Sequence, residues 1–197
     1  MEMPKVKELL LQSLEHEMGG VKVYETALRC VLNEELKEEW EKYRDETERH
    51  VQVLQDVFAQ MQLDPNEESP GRNIVREMGQ SLVRAMESAL AAGDKEAAQC
   101  MAAECVTLAE TTDHGNWELI GEVSKHATGA EAKALKQAYA EVEEQEDEHL
   151  YHSKGWLREL SLQSLGLKAV LPPPEERKDV HSAAGAARAK AERTKMR

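Results

Sequence analysis

Apolar residues recur at alternating spacings of three and four along most of the chain, the period of an amphipathic helix facing a core. A first helix is predicted from Pro4 to about Leu32, with a seam of Leu10, Leu14, Val21, Tyr24, Leu28 and Val31. Asn33 caps a second helix, which reaches Gln62 through Trp40, Tyr43, Thr47, His50, Leu54, Val57 and Met61. Leu63–Gly71 carries two prolines and a glycine and reads as a loop. A shorter helix is expected over Asn73–Ala92, with Ile74, Met78, Leu82, Met86 and Leu90 at every fourth position. Gly93-Asp94 interrupts the pattern, and a third long helix is predicted over Lys95–Ser124. The fourth, Ala130–Leu160, has the seam Leu135, Tyr139, Val142, Glu146, His149, Ser153, Trp156 and Leu160. The expected architecture is all-α: a four-helix bundle of two hairpins, joined by a crossover that contains an extra helix. It occupies residues 1–171. Pro172-Pro-Pro174 opens a basic, Ala-rich tail over 172–197, expected to be a mobile end or an isolated helix.

Composition narrows the function. The 197 residues include 38 Asp and Glu against 25 Lys and Arg, a net charge of −13. From Glu175 onward seven basic residues face four acidic ones, so the bundle is more acidic still, and it is not expected to bind nucleic acid. No apolar run approaches the roughly 18 residues of a membrane span, and the N-terminus lacks the pattern of a secretory signal. A cytoplasmic protein without membrane association is expected. Cys30, Cys100 and Cys105 form no C-x-x-C pair, which disfavours disulfides, structural zinc and rubredoxin-type iron; Cys100 and Cys105 read as small core residues. No Gly-rich phosphate loop is present.

The informative positions are polar breaks in the seams. A buried, unpaired carboxylate costs several kcal/mol, so it must be protonated, paired or bound to a cation. Each long helix carries one: Glu17; Glu46 with His50; Glu110; and Glu146 with His149. Glu146-x-x-His149 places both side chains on one face. At about 1.5 Å per residue, Glu17 and His50 lie about equally far from the first bend, and Glu110 and His149 agree to within about one turn across the second. Glu104 fits that depth about as well as Glu110. Tyr24 follows Glu17 by seven residues and Trp117 follows Glu110 by seven, an internal echo that favours Glu110. These six residues are the candidate metal ligands, with Tyr24 and Tyr139 as candidate donors or redox partners beside them. His114 reads as a supporting or surface residue, and His16 and His152 as surface ones. Gly19-Gly20 suggests a close helix approach. The tryptophans read as core or interface anchors.

The Glu-then-Tyr first helix, the Glu-x-x-His fourth helix and the two-hairpin layout resemble the ferritin-like superfamily, in its rubrerythrin-like half. Asp45–Phe58, followed by a Pro-containing loop and an extra helix, is similar to the YciF-like stress-associated branch. The resemblance covers about residues 5–160. It implies a di-iron or related manganese centre that reacts with dioxygen or hydrogen peroxide or handles iron, an oxidoreductase role in stress response, a separate electron donor and a homodimer. The chain departs from the pattern at Thr47, where a Glu three residues before His50 is expected; Glu46 substitutes only if the helix turns by about 100°. A different class of reading is a non-catalytic helical stress or scaffold protein with a degenerate site, which binds a partner through its surface or tail.

Overall fold

A computed structural model describes residues 2–196, and among these no strand occurs. The helices are α1 (Met3–Cys30), α2 (Glu34–Gln60), α3 (Pro70–Ala91), α4 (Lys95–His126), α5 (Gly129–Ser164), α6 (Pro174–Arg177) and α7 (Ala183–Glu192), with a closing 3-10 turn at Arg193–Met196. Their starts follow local chemistry. Pro4 opens α1, and the side chains of Asn33, Ser69 and Asp94 accept from the backbone N–H of Leu36, Arg72 and Ala97. Gly93 precedes the α4 cap at φ +85°, a conformation that favours glycine.

The four long helices form an all-α bundle in which α1 packs on α2 and α4, and α5 packs on α4 and α2. Gln99 of α4 ties the first hairpin bend to the second hairpin, its Oε1 accepting from both Leu32 N and Asn33 N (2.7 and 2.9 Å). The crossover helix α3 lies against α1 and α4. It is held by Arg72 and Arg76, which both donate to Glu15 (2.7 and 2.8 Å). A side chain on Gly79 would meet Gly19 Cα at 3.7 Å, so the expected close approach at Gly19 is made to α3. A side chain on Gly20 would meet Thr47 Cγ2 at 3.3 Å, bringing α1 close to α2.

The apolar core is divided. One cluster gathers Val23, Tyr24, Trp40, Tyr43, Met86, Val106, Trp156 and Leu160; the other gathers Leu10, Leu14, Leu54, Phe58, Trp117, Ile120, Leu135 and Val142. On each long helix the clusters are separated by about two to four turns. Glu17, Thr47 with His50, Glu110 with Asp113, and Glu146 with His149 occupy those gaps, and all are buried. A polar layer thus crosses the bundle between two apolar ones. Cys30 and Cys105 are buried and Cys100 is half-buried, as small core residues would be.

The segment after Pro172 contains the helix α7 and is tied to α5 by side chains. Arg193 donates to both oxygens of the fully buried Glu159, which also accepts from Val170 N (2.8 Å). Arg158 forms a paired contact with Glu175 (2.8 and 2.7 Å), and the Trp156 indole reaches Glu176 (2.5 Å). A side chain on Gly155 would strike Pro173 and Glu175, so the segment comes close to α5 there. Ion pairs to α5 hold a sequence with few large apolar residues.

Candidate metal centre

The polar layer brings together five of the six expected ligands. Glu17, His50 and Glu146 form one trio, and Glu110, Glu146 and His149 a second; within each, one donor atom per residue lies within 4.8 Å of the others. Glu146 belongs to both. His50 Nδ1 lies 3.0 Å from Glu146 Oε1 and 3.5 Å from Glu17 Oε1. His149 Nδ1 lies 3.5 Å from Glu110 Oε2 and 3.9 Å from Glu146 Oε1.

The halves support each other crosswise. Trp117 of α4 donates its indole N–H to Glu17 Oε1 of α1 (2.6 Å), and Tyr24 of α1 donates its hydroxyl to Glu110 Oε1 of α4 (2.8 Å). Each acid is therefore held by the aromatic that follows the other acid by seven residues. Each keeps its second oxygen free: Glu17 Oε2, Glu110 Oε2 and Glu146 Oε2 are buried with no hydrogen-bond partner, as are both Nδ1 atoms.

Glu46 differs from its expected role. It lies behind the His149 ring, with Oε2 2.8 Å from Nε2 on the side away from the trio contacts. Its Oε1 accepts from the Gln145 amide (3.2 Å), whose Oε1 faces His50 Nε2 at 2.8 Å. A carboxylate only accepts, so it orients the Gln145 amide and calls for a proton on His149 Nε2; the amide oxygen calls for one on His50 Nε2. When the rings are neutral, each presents a lone pair at Nδ1, toward the trios. Glu46 sets two histidine tautomers instead of supplying a ligand, because the 100° between positions 46 and 47 is not recovered by any turn of α2.

Thr47 is buried and its hydroxyl donates to Tyr43 O (2.8 Å), so no carboxylate occupies that position. Asp113, which the sequence reading missed, is buried one turn after Glu110, with Oδ1 unpartnered. Its signal was the i, i+3 spacing of Glu110-x-x-Asp113, the spacing of Glu146-x-x-His149. The layer therefore contains four carboxylates, Glu17, Glu110, Asp113 and Glu146, with two histidines.

Several other expectations change. Tyr139 lies away from the centre, half-exposed, and donates to Glu143 (2.8 Å). Glu104 is exposed, which leaves Glu110 as the buried acid at that depth. His152, expected at the surface, is buried with Nδ1 2.7 Å from Glu39 Oε1; half-buried His16 has Nε2 3.0 Å from Ala109 O. His114 faces Asp147 (2.8 Å). All three tryptophans are buried, and two of them also hold carboxylates.

Confining these charges moves their protonation. Burial raises Glu146 to about 7, helped by the charges of Glu17 and Glu110 and opposed by His50. Burial, with Glu17, Glu146 and Glu110 around it, lifts Asp113 well above the usual carboxylate range. Burial works against a charged His149, but Glu110 and Glu46 outweigh it and hold the ring at about 9; Glu17 and Glu146 likewise raise His50 despite its burial. Glu110 is lowered: burial opposes ionisation, and His149 and Tyr24 overcome it. The layer alone thus retains protons at neutral pH. Two divalent cations would balance four carboxylates with both rings neutral, and oxygen-rich donors with imidazole suit iron and manganese. The residues fit such a pair.

Comparison with protein-family models, curated proteins and solved structures returns no match. Among the described residues, no helix is long and apolar enough to cross a membrane.

Proposed function

We propose that this chain is a di-metal carboxylate protein of the ferritin-like, rubrerythrin-like kind, which holds two iron or manganese ions and acts on dioxygen or hydrogen peroxide in oxidative stress or iron handling. The observation that carries the reading is the pair of carboxylate–histidine trios sharing Glu146, sealed between two apolar clusters, with inward donor atoms that lack protein partners. Glu17 and His50 would serve one ion, Glu110 and His149 the other, and Glu146 both. The bound metal would supply electrons to the oxidant. Around it, Trp117 and Tyr24 fix the outer carboxylates and Glu46 fixes the rings. With no C-x-x-C pair in the chain, electrons are assigned to a separate donor protein. A cytoplasmic homodimer is part of the proposal, and exposed Ile74, Met78 and Leu108 on α3 and α4 support self-association.

Metal content after anaerobic ferrous loading, measured by plasma mass spectrometry, tests the reading. About two metal ions per chain are expected, and Glu146→Ala, which removes a ligand from both trios, should lose both. No metal in the wild type, or full content in the variant, overturns the assignment. Thr47 favours one second reading, a non-catalytic scaffold whose polar layer is satisfied by protons. That reading requires a melting temperature unchanged by chelation, because a ligand bound only to the native state stabilises it.

A further inference from the structure

A small cavity of about 100 Å³ opens between α4 and α5 and is lined by Glu118, Glu143, Asp147, His114 and Glu146. Burial orders these residues from mouth to floor. The side chain of Glu118 is 67% exposed, that of Asp147 24%, His114 14% and Glu146 2%. Glu143 is exposed beside Glu118, and Tyr139 donates to it from the same wall. Gly121 leaves the room that this ring uses, since a side chain there would meet Tyr139 Cε2 at 2.7 Å. At the floor, Glu146 Oε2 is buried and has no hydrogen-bond partner.

The acids at the mouth lack full compensation. His114 faces Asp147 at 2.8 Å and Glu118 at 3.9 Å, whereas the partner of Glu143 is the neutral Tyr139 hydroxyl. A recess lined by one sign of charge and walled by protein focuses the field and concentrates counterions, raising association rates by about 10- to 1,000-fold. This recess ends on the carboxylate that both trios share.

We infer that the α4–α5 cavity is a cation vestibule, in which Glu118, Glu143 and Asp147 collect a hydrated divalent metal ion and deliver it to Glu146. The inference rests on the di-metal reading and assigns its route of loading. His114 stands between mouth and floor, where an imidazole can take the ion from Asp147 as it sheds water. Exposed acids hold the ion weakly enough to pass it on, while the buried donors below retain it.

The test is the rate of Co²⁺ uptake by the full chain, followed by the visible absorption of the bound ion. Glu118→Gln, Glu143→Gln and Asp147→Asn are combined in one variant and compared with a charge-matched control, Glu34→Gln, Glu87→Gln and Glu104→Gln, on exposed positions elsewhere. At low ionic strength the vestibule variant should load about tenfold more slowly and reach the same final stoichiometry. The control should match the wild type, and about 0.5 M salt should remove most of the difference. Glu118→Lys alone, at the most exposed position, should slow loading at least threefold and guards against misfolding of the triple variant. Equal rates in wild type and vestibule variants, slowing that persists in salt, or equal slowing in the control would overturn the vestibule and leave the di-metal reading intact. No Co²⁺ uptake by any protein would overturn both.

Discussion

Removing metal should make stability depend on pH in a direction set by the buried layer. Glu146 stands at about 7 against an ordinary 4.5. An acid whose native value is raised contributes stability that is fully present below its unfolded value and lost as pH climbs toward the native one. That difference corresponds to about 3 kcal/mol surrendered between about pH 4.5 and 7. His149, raised to about 9 from 6.5, continues the loss in the same direction above about pH 6.5. For a domain of this size each kcal/mol is worth roughly 2–4 °C, so the Glu146 share alone is about 6–12 °C of melting temperature. Metal reverses the trend, because its ligands bind deprotonated and a higher pH favours the loaded state. The assay is thermal unfolding with chelator and with saturating Mn²⁺ at about pH 5.5, 7 and 8.5. The stripped melting temperature should fall across this range, the loaded one should hold or rise, and Glu146→Gln should make the stripped profile shallower below about pH 7, with Asp113 supplying the slope that remains. A stripped profile that is flat or rising, or Mn²⁺ stabilisation equal at all three pH values, would refute the reasoning.

Two further outcomes follow from groups outside the ligand set. Tyr24→Phe keeps its ring and Trp117→Phe keeps a smaller aromatic one, and they delete the donors to Glu110 and Glu17, so each should weaken metal affinity by about 10- to 100-fold in a competitive-chelator titration; wild-type affinity in both would show that these donors do not orient the ligands. Arg193→Ala leaves Glu159 buried with Arg158 and one backbone N–H, which should cost about 2–4 kcal/mol and open the chain after Pro174 to trypsin; unchanged melting and digestion would mean that the ion pair does not hold the segment.

The bundle was legible because its helices are long and their apolar periods clear, and the α2 cap fell at the expected residue. Glu17, His50, Glu110, Glu146 and His149 were legible as breaks in apolar seams at one depth. Asp113 was not, although it too interrupts a seam that runs from Val106 and Ala109 to Trp117 and Ile120, because Glu110 one turn before it already supplied the acid expected of that helix. Glu46 was misplaced because a Glu one position off the inward face can reach the back of an imidazole, and spacing alone does not separate that from a ligand. The ties between the C-terminal segment and α5 were not legible, because they depend on a few long-range ion pairs and composition reports apolar content only.

The anchoring of Glu159 by Arg193 also has a consequence during synthesis. Glu159 leaves the ribosome 34 residues ahead of its partner, so α5 is made with a carboxylate that cannot be fully buried until the chain has grown past position 193. Over that interval the nascent bundle has Arg158 and the backbone N–H of Val170 as partners for Glu159. A chain truncated before residue 193 would keep that carboxylate without its Arg193 partner.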